Sequence, residues 1–552
     1  MAIPRRALII IGVVVVLAVV GVIVGVVVTK DSSNSASTST STSDGTSGST
    51  SASSGSTTTR SGGTTKSSSS TKKTTTSSGS TSITSDPTSV TYSLSAFAIG
   101  DWGTTVTQDS CCQSSGYTDY DVNAEDMVAN VMDQQAGDAD VAPKVVIGHG
   151  DNFYWSGINS EDGRDSRFPT TFEDKFDIFS FFSPFRRARF PVPQRHHSPP
   201  APVDASSVLR SSRPLGVDTA PERTLGVSPP TKGPEDKFDG DNIKTIPWVN
   251  VLGNHDYGGA DYICSSGDNT AKCSDSDALV AALKNKFSWQ SGYTSPNDDW
   301  WILEDHFYVY TIEDADSGVS IDIFNIDSND ADSHGAQETC CQCYGYAGDD
   351  DDTCDNISRG DDACAGGDTD MYDACVDLLT SWADDSRTQL AANIANSTAT
   401  WKVVNSHYNP YAHYAESGMA KWFDIINGTG VHLWLNGHTH GENHDYSSSL
   451  GVHFVDNGAG GGIIKQSASD IPTYAEDYVE NLWVYDGTEY GFFSLTASED
   501  WLKLQYHTAD DKWTYAESFN STSVGGVATK HCWYIPNDGA EGQECTSSSS
   551  SS

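Results

Sequence analysis

Six short runs constrain the fold of this chain more than any other feature: LSAFAIG (94–100), PKVVIG (143–148), IPWVNVLG (246–253), WKVVNS (401–406), VHLWLNG (431–437) and VHFVDNG (452–458). Each is rich in β-branched or aromatic residues and ends at, or runs into, Asp, Asn, His or Gly, the signature of a buried strand that delivers polar cargo at its carboxyl end. Helical patterns lie between them, at AEDMVANVMDQQA (124–136) and from Asp373 to Ala395. Strand and helix in alternation predict an α/β fold with functional loops at the carboxyl edge of a sheet. Additional alternating runs from Phe307 to Tyr515 predict that the sheet is mixed.

The folded part is expected at 90–515, with appendages on both sides. Residues 7–28 form an uncharged apolar run preceded by Arg5 and Arg6. As a helix it would span about 33 Å, enough to cross a bilayer. The run ends in Thr29-Lys30-Asp31 without a small-residue cleavage site, so residues 1–30 read as a cytosolic tip and transmembrane signal anchor of a single-pass type II protein; a cleaved signal and secretion are the alternative. Residues 31–89 are mostly Ser, Thr and Gly, a disordered stalk or flexible linker. Residues 516–552 read as a C-terminal tail in which Cys532 and Cys545 pair. Sequons begin at Asn356, Asn396, Asn427 and Asn520, as expected of a glycoprotein. The net charge of −43 excludes nucleic-acid backbones as partners and describes an acidic ectodomain.

Residues 178–239 break the pattern. They are Pro-rich, carry seven arginines, and are bracketed by a repeated EDKFD at 173–177 and 235–239. The segment reads as retained non-coding sequence or a disordered surface insert, since it has no evident core to join. Twelve cysteines point to an oxidising compartment. Cys340, Cys341 and Cys343 are too crowded for a regular zinc site and read as disulfide halves with Cys354, Cys364 and Cys375, in an order that spacing does not decide.

Five motifs stand in sequence at the strand ends: GDWG (100–103), GDNFY (150–154), GNHD (253–256), VNSH (404–407) and GHTH (437–440). Together they supply two carboxylates, a phenol, an amide and three imidazoles, a donor mixture suited to a pair of first-row metals of which one is hard and trivalent. The set resembles the purple acid phosphatases of the calcineurin-like metallophosphoesterase superfamily, over about 95–464 with the insert removed. That resemblance implies a four-layer α/β/β/α sandwich of two mixed sheets. It also implies that Asp101, Tyr154 and His440 hold ferric iron, that Asn254, His407 and His438 hold a divalent metal (Fe, Zn or Mn), and that Asp151 bridges them. Gly103 and Tyr154 stand where other metallophosphoesterases have a histidine and no tyrosine.

Such a centre would be an acid phosphatase that hydrolyses phosphate monoesters by attack of a metal-bound hydroxide. Two metals bring five positive charges; Asp101, Asp151, Tyr154 and one hydroxide remove four, leaving about +1 to hold the ester. The resemblance makes His255 the phosphate contact and proton donor. Ser417 occupies the place of a second family histidine, which leaves His413 as the nearby candidate, or a surface residue. Rival readings are an ectonucleotidase or phosphodiesterase of the same superfamily and a non-catalytic stalked surface protein. Two other features read blandly: GAGGG (458–462) as a tight turn, and Asp349 to Asp352 as a solvated acidic loop.

Overall fold

The computed structural model describes residues 83, 85–103, 124–173, 242–265, 271–295, 300–348, 354, 357–463, 465–468, 470–513 and 524–545. All fall in the second of the two units into which the chain divides, Ser77–Ser552. The expected anchor, the insert, most of the expected stalk, Cys111, Cys112, the Asp349 to Asp352 run and the sequons at Asn356 and Asn520 lie outside the described residues; the last stalk positions, from Ser85, are described and meet the domain, where Ser85 Oγ donates to Asp500 and Ser85 O accepts from the Trp501 indole. None of the described helices is long and apolar enough to cross a membrane.

Among the described residues fifteen strands follow in chain order: β1 (Leu94–Ile99), β2 (Val146–Gly148), β3 (Trp248–Asn250), β4 (Trp301–Ile302), β5 (Phe307–Glu313), β6 (Ser320–Ile326), β7 (Trp401–Asn405), β8 (Leu433–Asn436), β9 (Glu442–Ser447), β10 (Val452–Asn457), β11 (Glu480–Val484), β12 (Gly491–Ala497), β13 (Trp501–Ala509), β14 (Val527–Pro536) and β15 (Gln543–Glu544). The longer helices are α1 (Ala124–Ala136), α2 (Ser276–Ser291), α3 (His334–Cys341), α4 (Thr369–Asn396) and α5 (Glu416–Ile426). The strands form two sheets, ordered β15-β14-β13-β12-β1-β2-β3-β4 and β11-β9-β10-β8-β7-β6-β5. Both are mixed. β1 to β4 run parallel in the first, and β6, β7, β8 and β10 run parallel in the second.

The near-continuous apolar runs follow from sheets covered on both faces. Successive residues of a strand point to opposite sides, so Ile323, Val403, Leu433 and Val455 join the core shared with the first sheet. Their neighbours Phe324, Val404, Trp434 and Phe454 instead meet Leu390 and Ile394 of α4 and Trp422 and Phe423 of α5. Helix α1 lies against β12 and β13 of the other sheet. The result is α/β/β/α. Helix α4 starts earlier than its apolar pattern suggests because Asp368 caps it, accepting the N–H groups of Asp370 and Met371.

The domain continues past Tyr515. β14 pairs along β13 and carries β15, so 527–536 and 543–544, within the expected tail, belong to the first sheet. Disulfide Cys532–Cys545 closes this edge. The crowded cysteines pair as Cys340–Cys375, Cys341–Cys364 and Cys343–Cys354, and Cys264 joins Cys273. Five disulfides among the described residues suit an extracellular or secreted domain.

Candidate metal centre

The carboxyl ends of the parallel strands of both sheets open on one seam. Asp101 follows β1, Asp151 follows β2, Asn254 follows β3, His407 follows β7, and His438 and His440 follow β8. The apolar letters of the motifs anchor these loops. Trp102 packs edge-on to Trp248 and near Phe153, all three fully buried, so Asp101 and Asp151 sit on a fixed aromatic floor. Asp101, Asp151 and His438 take positive φ of 54°, 51° and 72°, the left-handed region that non-glycine residues seldom enter. Half of the described non-glycine residues with positive φ therefore belong to this centre, a clustering typical of functional loops.

The seven side chains gather into two groups. Tyr154 Oη donates to Asp101 Oδ1 at 2.9 Å and lies 3.1 Å from His440 Nε2, which is itself 3.6 Å from Asp101 Oδ1. In the second group Asn254 Oδ1 lies 3.0 Å from His407 Nε2 and 3.1 Å from His438 Nδ1. Asp151 adjoins it, with Oδ1 3.6 Å from His407 Nε2. Asp151, His407 and His438 each offer a donor atom within 4.8 Å of the others.

The donor chemistry fits cations. His407 Nδ1 stands 2.9 Å from the carbonyl of His149, which can only accept, so Nδ1 carries the proton and Nε2 presents a lone pair. That lone pair faces two oxygen acceptors, Asn254 Oδ1 and Asp151 Oδ1, with no proton of its own to share. Asp151 Oδ2 and His440 Nδ1 are buried without a hydrogen bond among the described residues. Burial, and then the nearby Asp151, push the Asp101 carboxyl well above its ordinary range. Burial, and then Asp101, do the same to the Tyr154 phenol. Burial pushes His440 down to about 3 and His438 well below its usual value, so both rings are neutral and could serve as ligands. Bound cations would reverse the strain on the acidic groups.

Asp256 ties the loops together. Both its oxygens accept the Asn152 N–H, and Oδ2 accepts the Gly253 N–H, locking GDNFY to GNHD. His255 donates its own N–H to Asp151 Oδ1 and its Nδ1 proton to the Trp155 carbonyl at 2.6 Å, which leaves Nε2 as the ring nitrogen available to a ligand. His413 is buried: Nδ1 accepts the Asn409 N–H, Nε2 meets Thr439 Oγ1 at 2.7 Å, and the ring abuts His438 at 4.6 Å. Ser417 points away, to Asp332.

One residue was not singled out by its sequence, and one run that was read only as a turn has a further role. His334 begins α3 with its side chain 58% exposed and its ring 5.9 Å from His438. The signal for it was the strand SIDIFNI (320–326), which also runs into Asp-Ser-Asn-Asp. The glycines of 458–462 are more than a turn, because a Cβ on Gly458 would come within 2.0 Å of the Thr439 carbonyl and one on Gly462 within 2.3 Å of the Asp101 carbonyl.

Neither a protein-family profile nor a curated protein matches the sequence. Solved structures that resemble it, all distantly, include the following three. GAP50, the anchor in the inner membrane complex of Plasmodium, aligns at 12% identity and a TM-score of 0.39, over 79% of this chain and 89% of that one. PhoD aligns at 10% identity and 0.39, over 82% and 71%. The purple acid phosphatase PPD1 from yellow lupin (Lupinus luteus) seeds aligns at 12% and 0.35, over 79% and 53%, so the chain spans about half of that protein. Likenesses this distant decide nothing about chemistry.

Proposed function

We propose that this protein is a metal-dependent phosphoesterase and, within that class, an acid phosphatase acting on phosphate monoesters at a dinuclear centre. One observation carries the reading: two donor groups, Asp101/Tyr154/His440 and Asn254/His407/His438, adjoin on either side of Asp151. The hard anionic oxygens of the first group suit Fe(III), and the neutral donors of the second suit Fe(II), Zn(II) or Mn(II). When bound, the two metals would supply Lewis acidity and a nucleophile available at acidic pH. The protein's own groups do the rest. Asp151 accepts the His255 N–H and so fixes that residue beside the centre. The Trp155 carbonyl holds the His255 ring through Nδ1, so Nε2 is the nitrogen that would contact the phosphate and protonate the departing oxygen. With both ring nitrogens engaged, His413 is better suited to holding His438 and Thr439 than to touching substrate, and His334 is the exposed imidazole beside the divalent group.

We also infer that the catalytic domain lies outside the cytosol on an N-terminal membrane anchor, a reading supported by its disulfides and by the apolar run at 7–28. The test is the full chain expressed through an oxidising secretory route, with metal content, and hydrolysis of a monoester, a nucleotide and a diester, all measured. Two metals and a preference for the monoester support the proposal. Preference for the diester or nucleotide moves the protein to its rivals, and absence of metal removes the proposal.

A further inference from the structure

Among the described residues three large hydrophobic side chains are exposed: Trp155, Tyr478 and Val484. Only Trp155 belongs to a catalytic motif's loop. It follows Tyr154 directly, its ring centroid is 5.3 Å from those of both Tyr154 and His255, and both rings meet it steeply, at 68°. More than a third of its surface, 37%, remains open. An isolated exposed indole elsewhere on a surface would need no explanation. This one stands beside His255, whose Nδ1 is bonded to the Trp155 carbonyl and whose Nε2 is available to a ligand.

The main chain that carries the indole is tied down at Trp155 and the two residues after it. The Trp155 carbonyl accepts the His255 Nδ1 proton at 2.6 Å. The next carbonyl, of Ser156, accepts from the buried Lys286 ammonium at 2.6 Å, and Gly157 N–H bonds back to the Phe153 carbonyl at 2.9 Å. Gly259 packs so closely that a Cβ there would stand 2.7 Å from the Trp155 carbonyl. An aromatic side chain on an anchored backbone, its ring in contact with Tyr154 and His255, presents large contact area at small entropic cost.

Resting on the phosphomonoester reading, we propose that Trp155 is a specificity residue that selects phosphate monoesters carrying a planar aromatic group one or two bonds from the ester oxygen. With the phosphoryl group at the metal centre and against His255, the organic portion would extend past the partly exposed indole beside that histidine, which offers a ring to stack on or to meet edge to face. The acidic surface of a chain with net charge −43 disfavours substrates that recruit affinity through further negative charges, which leaves an aromatic contact as the available handle.

The test compares benzyl phosphate with cyclohexylmethyl phosphate, whose leaving oxygens are chemically alike and whose rings differ in planarity. Full-length, metal-loaded protein should favour the benzyl ester about three- to tenfold in kcat/KM, mainly through KM. Trp155→Ala should bring the ratio close to one, and Trp155→Phe should keep most of it. Calorimetric titration with benzylphosphonate and cyclohexylmethylphosphonate gives the same comparison without turnover. A ratio of one in the wild type, or a preference that survives Trp155→Ala, overturns the inference while leaving the phosphatase reading intact. Failure to hydrolyse either ester overturns both.

Discussion

Gly253 is pressed so closely against Asp151 that a Cβ on it would stand 2.1 Å from Oδ1, and 2.6 Å from His407 Cε1. Neither contact is compatible with real atoms, so the absence of a side chain at Gly253 is what lets the carboxylate and the imidazole converge. Gly253→Ala changes no donor, yet it should weaken metal binding about 10- to 100-fold, in the manner of a lost supporting contact. Metal content after dialysis against a graded chelator checks this. Retention equal to the wild type would mean that the Asp151 and His407 positions are not set by this packing.

A phenolate on Fe(III) gives a visible charge-transfer band, so the metal-loaded protein should be purple or pink. Tyr154→Phe keeps the ring on its floor and removes the oxygen that lies 2.9 Å from Asp101 and 3.1 Å from His440. The band should vanish, while hydrolysis falls less steeply because Asp101, Asp151 and His440 remain. His407→Ala should do the reverse, lowering activity more than colour. A colourless iron-loaded wild type would exclude the tyrosine as a ligand.

Cys340–Cys375 ties α3, which carries His334, to α4 across a loop of 35 residues. Closing such a loop restrains the unfolded chain by about 3 to 4 kcal/mol in the chain-entropy account. Replacing both cysteines by serine should lower the unfolding free energy by roughly that amount, measured by urea denaturation with the other disulfides oxidised. A loss well below 1 kcal/mol would show that the neighbouring pairs Cys341–Cys364 and Cys343–Cys354 already hold the loop.

The strands and the donor set were legible because each strand ends on its own cargo: Ile99 is followed by Gly100-Asp101, and Asn405 by Ser406-His407. What was not legible depends on contacts between distant segments. Nothing local to 458–462 shows that Gly462 lies against Asp101. Burial of both nitrogens of His413 arises from Asn409 and from Thr439 in another loop. β14 is hard to read because its side chains alternate only weakly in burial, as befits a strand near a sheet edge, and because a Ser- and Thr-bearing segment separates it from β13.

The last prediction concerns acid stability and lies away from the metal centre. His531 of β14, in one sheet, is 3.0 Å from His444 of β9 in the other, and His444 is 2.9 Å from His453 of β10. His453 Nε2 faces the Ala540 carbonyl, which can only accept; His453 therefore keeps its proton there, accepts from His444 Nε2, and His444 in turn accepts from His531. The chain holds three neutral rings. Burial lowers His453 to about 3 and His531 to about 4, and burial followed by its two histidine neighbours lowers His444 well below its usual 6.5. Since the folded values are depressed, the unfolded chain takes up protons first as pH falls below 6.5. The contribution is fully present above that value and is lost progressively down to about 3 to 4, each histidine adding up to about 1.4 kcal/mol per pH unit to the slope. Replacing His444 with Gln should reduce the proton uptake on unfolding by about one between pH 6 and 4. Urea denaturation of the wild type and variant across that range measures it, and contributions from the metal ligands cancel in the comparison. Identical slopes would show that the three rings do not resist protonation as their burial requires.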